Sequence, residues 1–391
     1  MERLFRQNSM KIGYLSYFNS KDVRAWSGSI YFIRRELEKI GVEIVPIDNL
    51  GSVLDDIYKV KSIYYKAIGK NHHRIRERRI MQRAAEKAAR LIEKQRPDVL
   101  LSLGSLELSM LKCDLPATFW TDATFRQLVN YYPEYSDLSP TTLREGEFLE
   151  EQSINGASRM FFASEWAAGG AINYYSADES KVKVLPFGAN LYNPPTEEEV
   201  ADFIARKDFD AIELLFVGVA FERKGGNTAL EIARKIKQKG RNVKIHIIGC
   251  NPEINESNDF VKIYGFLNKA RPDDMKTIEE LYRKAHFFVM PSLAECYGIV
   301  FCEANAYGLP VVGANNGGMP TIIKHNTNGF LFDYSNYEQS LQEIADKLIE
   351  IGENRKVYEE AANKSRNEYK MRLNWEVSVG ELISELNKIS K

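Results

Sequence analysis

Short apolar runs and amphipathic stretches alternate along this chain. "KIGYLSY" (11–17), "VEIVPI" (42–47), "PDVLLSLG" (97–104), "ATFWT" (117–121), "RMFFAS" (159–164) and "KVKVLPFG" (181–188) are apolar runs of strand length. Helix-period segments lie between them, such as "SGSIYFIRRELEKIG" (27–41), with Gly28 near its start and Gly41 as its stop. Apolar runs flanked by helices predict strands buried on both faces, hence a parallel sheet. "NLYNPPTEEEV" (190–200) breaks the rhythm. Its two prolines remove backbone donors and its acids resist burial, which predicts a linker. The rhythm resumes with "IELLFVGV" (212–219), a helix at 225–239, "VKIHIIG" (243–249), "FVKIYGF" (260–266), a helix near 272–285, "HFFVMP" (286–291), "PVVGA" (310–314) and "GFLFD" (329–333). Two doubly wound, Rossmann-like α/β domains follow, residues 1–190 and 191–369. Ligands of such sheets bind outside the carboxyl ends of the strands, and two such edges offer a cleft between domains.

A chain of 391 residues supplies two cores comfortably. A formal net charge of -1 gives no reason to expect nucleic-acid binding. No apolar run reaches the roughly 18–20 residues of a membrane span. The opening "MERLFRQNSM" is too short and polar for a secretory signal, so the fold is expected to begin at Met10. The four cysteines (Cys113, Cys250, Cys296, Cys302) form no CxxC pair and predict reduced, buried thiols in a cytoplasmic protein. The five histidines form no metal pattern, and no metal or cofactor is expected. One stretch departs from neutrality: residues 59–96 carry 13 cations and three acids, 13 − 3 = +10. Met81, Ala84, Ala88 and Leu91 recur there at helical spacing, so part of it is a helix with one face in the core. Its other face reads either as solvated or as a basic surface for anionic lipid.

Three stretches carry candidate chemistry. "FNSKDVRAWSGSIY" (18–31) places Gly28 before a helix, where amides and the helix dipole favour an anion, although a glycine there is more often plain turn chemistry. "FVGVAFERKGGNTAL" (216–230) sets Arg223 and Lys224 in a strand-to-helix loop, a setting that suits a diphosphate. The GxxxxGK[ST] loop is absent, and no GxGxxG follows a strand. "AECYGIVFCEANAYGLPVV" (294–312) holds two acids, Glu295 and Glu303, among apolar residues that would make an unpaired carboxylate costly. A helix opening near Gly298 would present the amides of Gly298, Ile299 and Val300 to a phosphate. Glu295 and Glu303 would then accept from sugar hydroxyls on either side, an arrangement that suits a nucleotide sugar.

Glu295 and Glu303 are separated by seven residues, and with "GLPVV", "GG-P" and "NTNGFLFD" (326–333) they resemble the EX7E signature of the GT4 family of retaining glycosyltransferases, which have the GT-B fold. "VLPFGAN" (184–190) is similar to that family's hinge, and "RLNWEVSVGELISEL" (372–386) to its final helix, which returns to the first domain; residues 370–391 are expected to do so. The resemblance implies transfer of a hexosyl group from a nucleoside-diphosphate sugar, with UDP-glucose or a near relative favoured, to a hydroxyl acceptor. Attack is expected on the same face, without a metal. It implies that Glu303 binds the ribose and Glu295 the donor-sugar hydroxyls. Gly218, Arg223, Lys224 and the backbone at Gly298–Val300 would cradle the diphosphate, backbone at Phe266 and Leu267 would meet the base, and Gly28 would close from the other domain.

The chain departs from the family at two places. Val219 stands where many relatives carry an arginine, and Trp120 takes the place of a strand-end histidine, with Asp122 two positions on. Asp122 reads either as a donor or acceptor contact or as a turn cap. The aromatic loop "RQLVNYYPEYSDLSP" (126–140) borders either an acceptor or the core. The acceptor is a sugar, a lipid-linked sugar or another hydroxyl, and a lipid-linked one would bring the protein to the inner face of the membrane. Two other classes fit less of the motif: a sugar-nucleotide epimerase, which needs no EX7E element, and a non-catalytic sugar-nucleotide-binding protein.

Overall fold

The computed structural model describes residues 10–254 and 260–390. The expectation for residues 1–9 therefore lies outside the described residues. The chain divides into two units, Met1–Phe187 with Trp375–Lys391, and Gly188–Asn374.

The first unit is built on β1 (Lys11–Leu15), β2 (Glu43–Ile47), β3 (Val99–Leu103), β4 (Ala117–Thr121), β5 (Arg159–Phe162) and β6 (Val182–Val184). All pair in parallel, in the order β2-β1-β3-β4-β5-β6. The winding reverses between β1 and β3, where a crevice opens at the strand ends. Helix Ser29–Lys39 buries Ile30, Ile33 and Leu37, one face at spacings of three and four. Helix Trp375–Ile389 returns to this unit and buries Trp375, Val379, Leu382, Ile383 and Leu386. Its Ser378 hydroxyl donates to the Pro186 carbonyl at 2.7 Å, and Glu385 pairs with Arg159 at 3.4 Å.

The second unit carries β7 (Ile212–Val217), β8 (Val243–Ile248), β9 (Val261–Gly265), β10 (Phe287–Val289), β11 (Val311–Ala314) and β12 (Gly329–Phe332). They too are parallel, in the order β12-β11-β10-β7-β8-β9, with the switch between β7 and β10.

One sequence expectation needs correction. The stretch 190–200 is not a linker throughout. Thr196 caps helix Glu197–Ala205, exchanging hydrogen bonds with Glu199, and three acids in the first turn suit the positive end of the helix. Glu197 also pairs with Arg366 at 2.7 Å and Lys370 at 3.1 Å. The basic segment is two helices, Leu54–Ala67 and Arg78–Gln95, separated by a left-handed Gly69 and a short turn. The second buries Met81, Ala84 and Ala88 as its spacing predicts.

Candidate active site

The loops after β7 and β10 flank the switch point of the second sheet, and they are fastened to each other. The Leu293 amide donates to the Arg223 carbonyl and the Arg223 guanidinium donates to the Ala294 carbonyl, each at 2.8 Å. Gly225 ends the first loop with φ 75°, and a Cβ on it would lie 2.0 Å from the Pro291 carbonyl oxygen, so only glycine lets the loops cross there. Gly298 opens helix Ile299–Ala306 with φ 96°; a Cβ there would lie 2.7 Å from the Phe301 ring and 3.3 Å from Glu295 Cγ. The second loop is held from below as well. The Asn316 side chain donates to the Ser292 and Leu293 carbonyls at 3.1 and 3.2 Å, and the Gly318 amide to the Glu295 carbonyl at 3.2 Å.

Each acid in the apolar run has a cation. The Lys224 ammonium is bonded to the Glu295 carboxylate, with both side chains largely buried. Glu303 is 1% exposed, and both its oxygens accept from Lys269 Nζ, at 2.7 and 2.8 Å. The Tyr282 hydroxyl adds a third contact at 3.3 Å. Burial, and then the Glu303 charge, hold the Tyr282 phenol well above its ordinary pKa, so it stays a donor. Tyr282 is fixed in turn by stacking on Tyr307, centroids 5.0 Å apart. Cys302, on the same helix, is fully buried, and burial pushes its thiol up to about 12. It is packing rather than a nucleophile.

Residues 197–366, which include all of these groups, match the family described as Glycosyl transferases group 1. The second unit belongs to the group 1 glycosyl transferases. Over 228 residues the chain is 28% identical to D-inositol 3-phosphate glycosyltransferase of Corynebacterium kroppenstedtii, covering 52% of this chain and 50% of that one. The chain spans about half the length of the curated relatives it matches. In three dimensions it resembles a glycosyltransferase from Rickettsia africae (TM-score 0.65, 15% identity, 98% of this chain and 100% of that one). It also resembles Anabaena HepE, solved with UDP (TM-score 0.62, 17% identity, 97% and 100%) and also with UDP and glucose. The fold is thus the two-domain GT-B architecture that the family resemblance implied.

Within the second unit the other expected residues lie along the same sheet edge. The buried Gly218 donates to the Ile248 carbonyl at 2.9 Å, closely backed by Gly249. Val219, beside it, is exposed. Ile299 and Val300 are half-buried in the first turn of their helix, where amides lack intrahelical partners. Phe266 is exposed and Leu267 half-buried just past β9, and the same loop delivers Lys269 to Glu303. Lys269 and Tyr282 were not singled out from sequence. The only sequence signal for Lys269 was its place at the end of "YGFLNK", since its partner is 34 residues away.

In the first unit, Gly28 (φ 90°) follows Trp26 (φ 46°) and Ser27 (φ 54°), three consecutive left-handed residues ahead of helix Ser29–Lys39. Two non-glycine residues in that region mark local strain, which clusters at functional loops. Asp122 is half-buried just past β4. Trp120, one residue before the end of β4, is a core residue. It is fully buried, donates its indole N–H to the Leu185 carbonyl at 2.9 Å, and packs edge-on against Phe187 and Trp375. It points into the core beneath the last helix. In the short helical turn Leu106–Leu108 that follows β3, Glu107 accepts from the Tyr17 amide at 3.1 Å, and burial holds its carboxyl above the usual range.

Proposed function

We propose that this protein transfers a hexosyl group from a nucleoside-diphosphate sugar, UDP-glucose or a near relative, to a hydroxyl acceptor with retention of configuration. The observation that carries the reading is the pair of cation–carboxylate contacts at one switch point, Lys224–Glu295 and Lys269–Glu303. UDP in the similar HepE structure supports the nucleotide. In this reading the diphosphate lies over Lys224, Arg223 and the amides of Gly298–Val300. Gly218 allows its close approach, and backbone at Phe266 and Leu267 meets the base. Glu303 takes the ribose hydroxyls as Lys269 yields one of its oxygens, and Glu295 takes hydroxyls of the donor sugar.

As the bond from the anomeric carbon to the phosphate oxygen breaks, negative charge grows on the diphosphate and the two side-chain cations meet it. The departing phosphate oxygen accepts the proton of the acceptor hydroxyl on the same face, so neither glutamate acts as a base. Protein cations supply the charge stabilisation, and no metal is called for in this scheme. The acceptor is a sugar, a lipid-linked sugar or another hydroxyl compound, met by first-unit residues such as Gly28 and Asp122. The protein works in the cytoplasm, at the inner face of the membrane if the acceptor is lipid-linked.

A thermal-shift panel of UDP, GDP, ADP and their common sugar conjugates tests the donor site. At 100 times its Kd a ligand stabilises by about 2.7 kcal/mol. One nucleotide is expected to stabilise the wild type, and Glu303→Ala to lose most of that shift. No shift with any of them at saturation would overturn the donor site. A shift without transfer or slow donor hydrolysis would leave a binding protein.

A further inference from the structure

Glu107 has no part in the donor site, yet it stands at the switch point of the first sheet, where ligands of such sheets bind. From the turn after β3 its carboxylate reaches the loop after β1, and Oε1 accepts from the Tyr17 amide at 3.1 Å. The other oxygen, Oε2, lies 3.5 Å from the Ser102 hydroxyl. That hydroxyl has one hydrogen, and it is committed to the Gly104 carbonyl at 2.7 Å. Oε2 therefore keeps acceptor capacity. There is also room beside it. Gly104 has φ 113°, and a Cβ there would lie 3.2 Å from Oε2. Among the described residues it would meet nothing else within 4 Å beyond its chain neighbours. Part of Glu107 stays open to solvent.

A second group points the same way. Arg76 is 8% exposed, with its guanidinium 4.3 Å from the centre of the Phe125 ring. Its Nε and Nη1 have no hydrogen-bond partner among the described residues. Its charge bears on both Glu107 and the buried Glu150, whose Oε2 lies 3.8 Å from Nη1 and whose Oε1 is equally unpartnered. Buried polar groups are nearly always hydrogen-bonded, so donors and an acceptor left unanswered together suit hydroxyl chemistry. The local charge disfavours an anion. Glu107, Glu150 and Asp55, the last bonded to the Tyr17 hydroxyl, outnumber Arg76 and Arg74, and Arg74 faces Asp55 at 3.9 Å.

We infer that Glu107 is a binding residue for an uncharged sugar or polyol: Oε2 accepts from one of its hydroxyls, and Arg76 fixes the charge behind the carboxylate. That this compound is the acceptor rests on the transferase reading; its binding needs no donor. The acceptor is then neutral at the hydroxyl that meets Glu107.

Carbodiimide coupling of glycine ethyl ester to carboxyls, mapped by peptide mass spectrometry on the full-length protein, tests the site without a donor. The probes are glucose, galactose, N-acetylglucosamine and myo-inositol at about 0.1 M, and their phosphate esters. The exposed Glu376 is the internal standard. At least one neutral probe is expected to slow modification of Glu107 relative to Glu376 about tenfold, the protection given by a Kd near 10 mM. Glu303→Ala should show the same protection, which separates a failure here from a failure of the donor site. In saturation-transfer NMR the protecting sugar should bind Glu107→Gln about tenfold more weakly at unchanged Tm, since the glutamine carbonyl still accepts from the Tyr17 amide. Protection by no neutral probe, protection by phosphate esters alone, or undiminished binding to Glu107→Gln overturns the inference. A Glu107 that fails to react in the free protein is sealed off, and that overturns it too.

Discussion

The two units share one plan and differ in what they place at the turning point of the winding. In the first, β1 and β3 meet at the switch, and the groups beside it are a strained left-handed loop and a buried carboxylate, Glu107, whose burial favours its neutral form. In the second, β10 and β7 meet there, and each buried carboxylate is matched by a lysine. The same crevice is electrostatically assembled in one unit and conformationally strained in the other. A diphosphate needs fixed positive charge near amides, and the loops at the second edge supply both.

The contrast is sharpest where the first unit is purely structural. Trp120→Ala removes a buried indole, its hydrogen bond and its contacts with Phe187 and Trp375, and should cost about 3–5 kcal/mol. Chemical denaturation is expected to show that loss while the nucleotide Kd at 25 °C stays within twofold. A large change in Kd would mean that Trp120 serves the donor site after all. Lys224→Met should reduce kcat by about 10²–10³ with a smaller effect on nucleotide binding, because charge on the diphosphate grows in the transition state. Equal losses in binding and kcat would instead place Lys224 in ground-state recognition.

The opposite edge of the second sheet supplies a control. His286 Nδ1 accepts from the Glu213 amide at 3.1 Å, and burial, then Lys207 nearby, bring its pKa down to about 3. Above pH 6.5 the ring is neutral in both folded and unfolded chains and stability is unaffected. As pH falls below 6.5 only the unfolded chain takes the proton, so stability drops, by about 3 kcal/mol between pH 7 and pH 4. The difference in Tm–pH slope between the wild type and His286→Gln measures it, and identical slopes would show a ring that protonates in place. The smallest effect expected is that of Gly298→Ala. Its left-handed backbone and the 2.7 Å approach to Phe301 predict a loss of about 1–3 kcal/mol, together with weaker nucleotide binding. An unchanged Kd in a well-folded variant would remove Gly298 from the cradle.

Local patterns were legible and distant pairings were not. The strand runs were readable because parallel strands are apolar on both faces, although a strand such as β10, Phe287–Val289, is shorter than the run "HFFVMP" that announces it. The loop residues Arg223, Lys224, Gly298 and the two glutamates were readable because motif and turn chemistry are local in sequence. The acids of Glu197–Glu199 were misread, since a charge run opening a helix looks like a charge run in a loop until its cap is seen. The burial of Trp120 was not legible because a position in a motif does not say which way an indole points. Lys269 and Tyr282 became visible only when the sheet brought the loop after β9 and the helix Pro272–Lys284 to Glu303.

The crossing of Gly225 over the Pro291 carbonyl also bears on how the chain tolerates change in length. With the Leu293 amide donating to the Arg223 carbonyl and the Arg223 guanidinium to the Ala294 carbonyl across the same gap, the two loops are spliced into one ribbon. An insertion between 223 and 225, or between 291 and 294, would shift the register of both. One at the exposed Val219 lies upstream of the crossing and leaves that register intact. Lineages of this domain should therefore vary in length before the crossing and hardly at all within it.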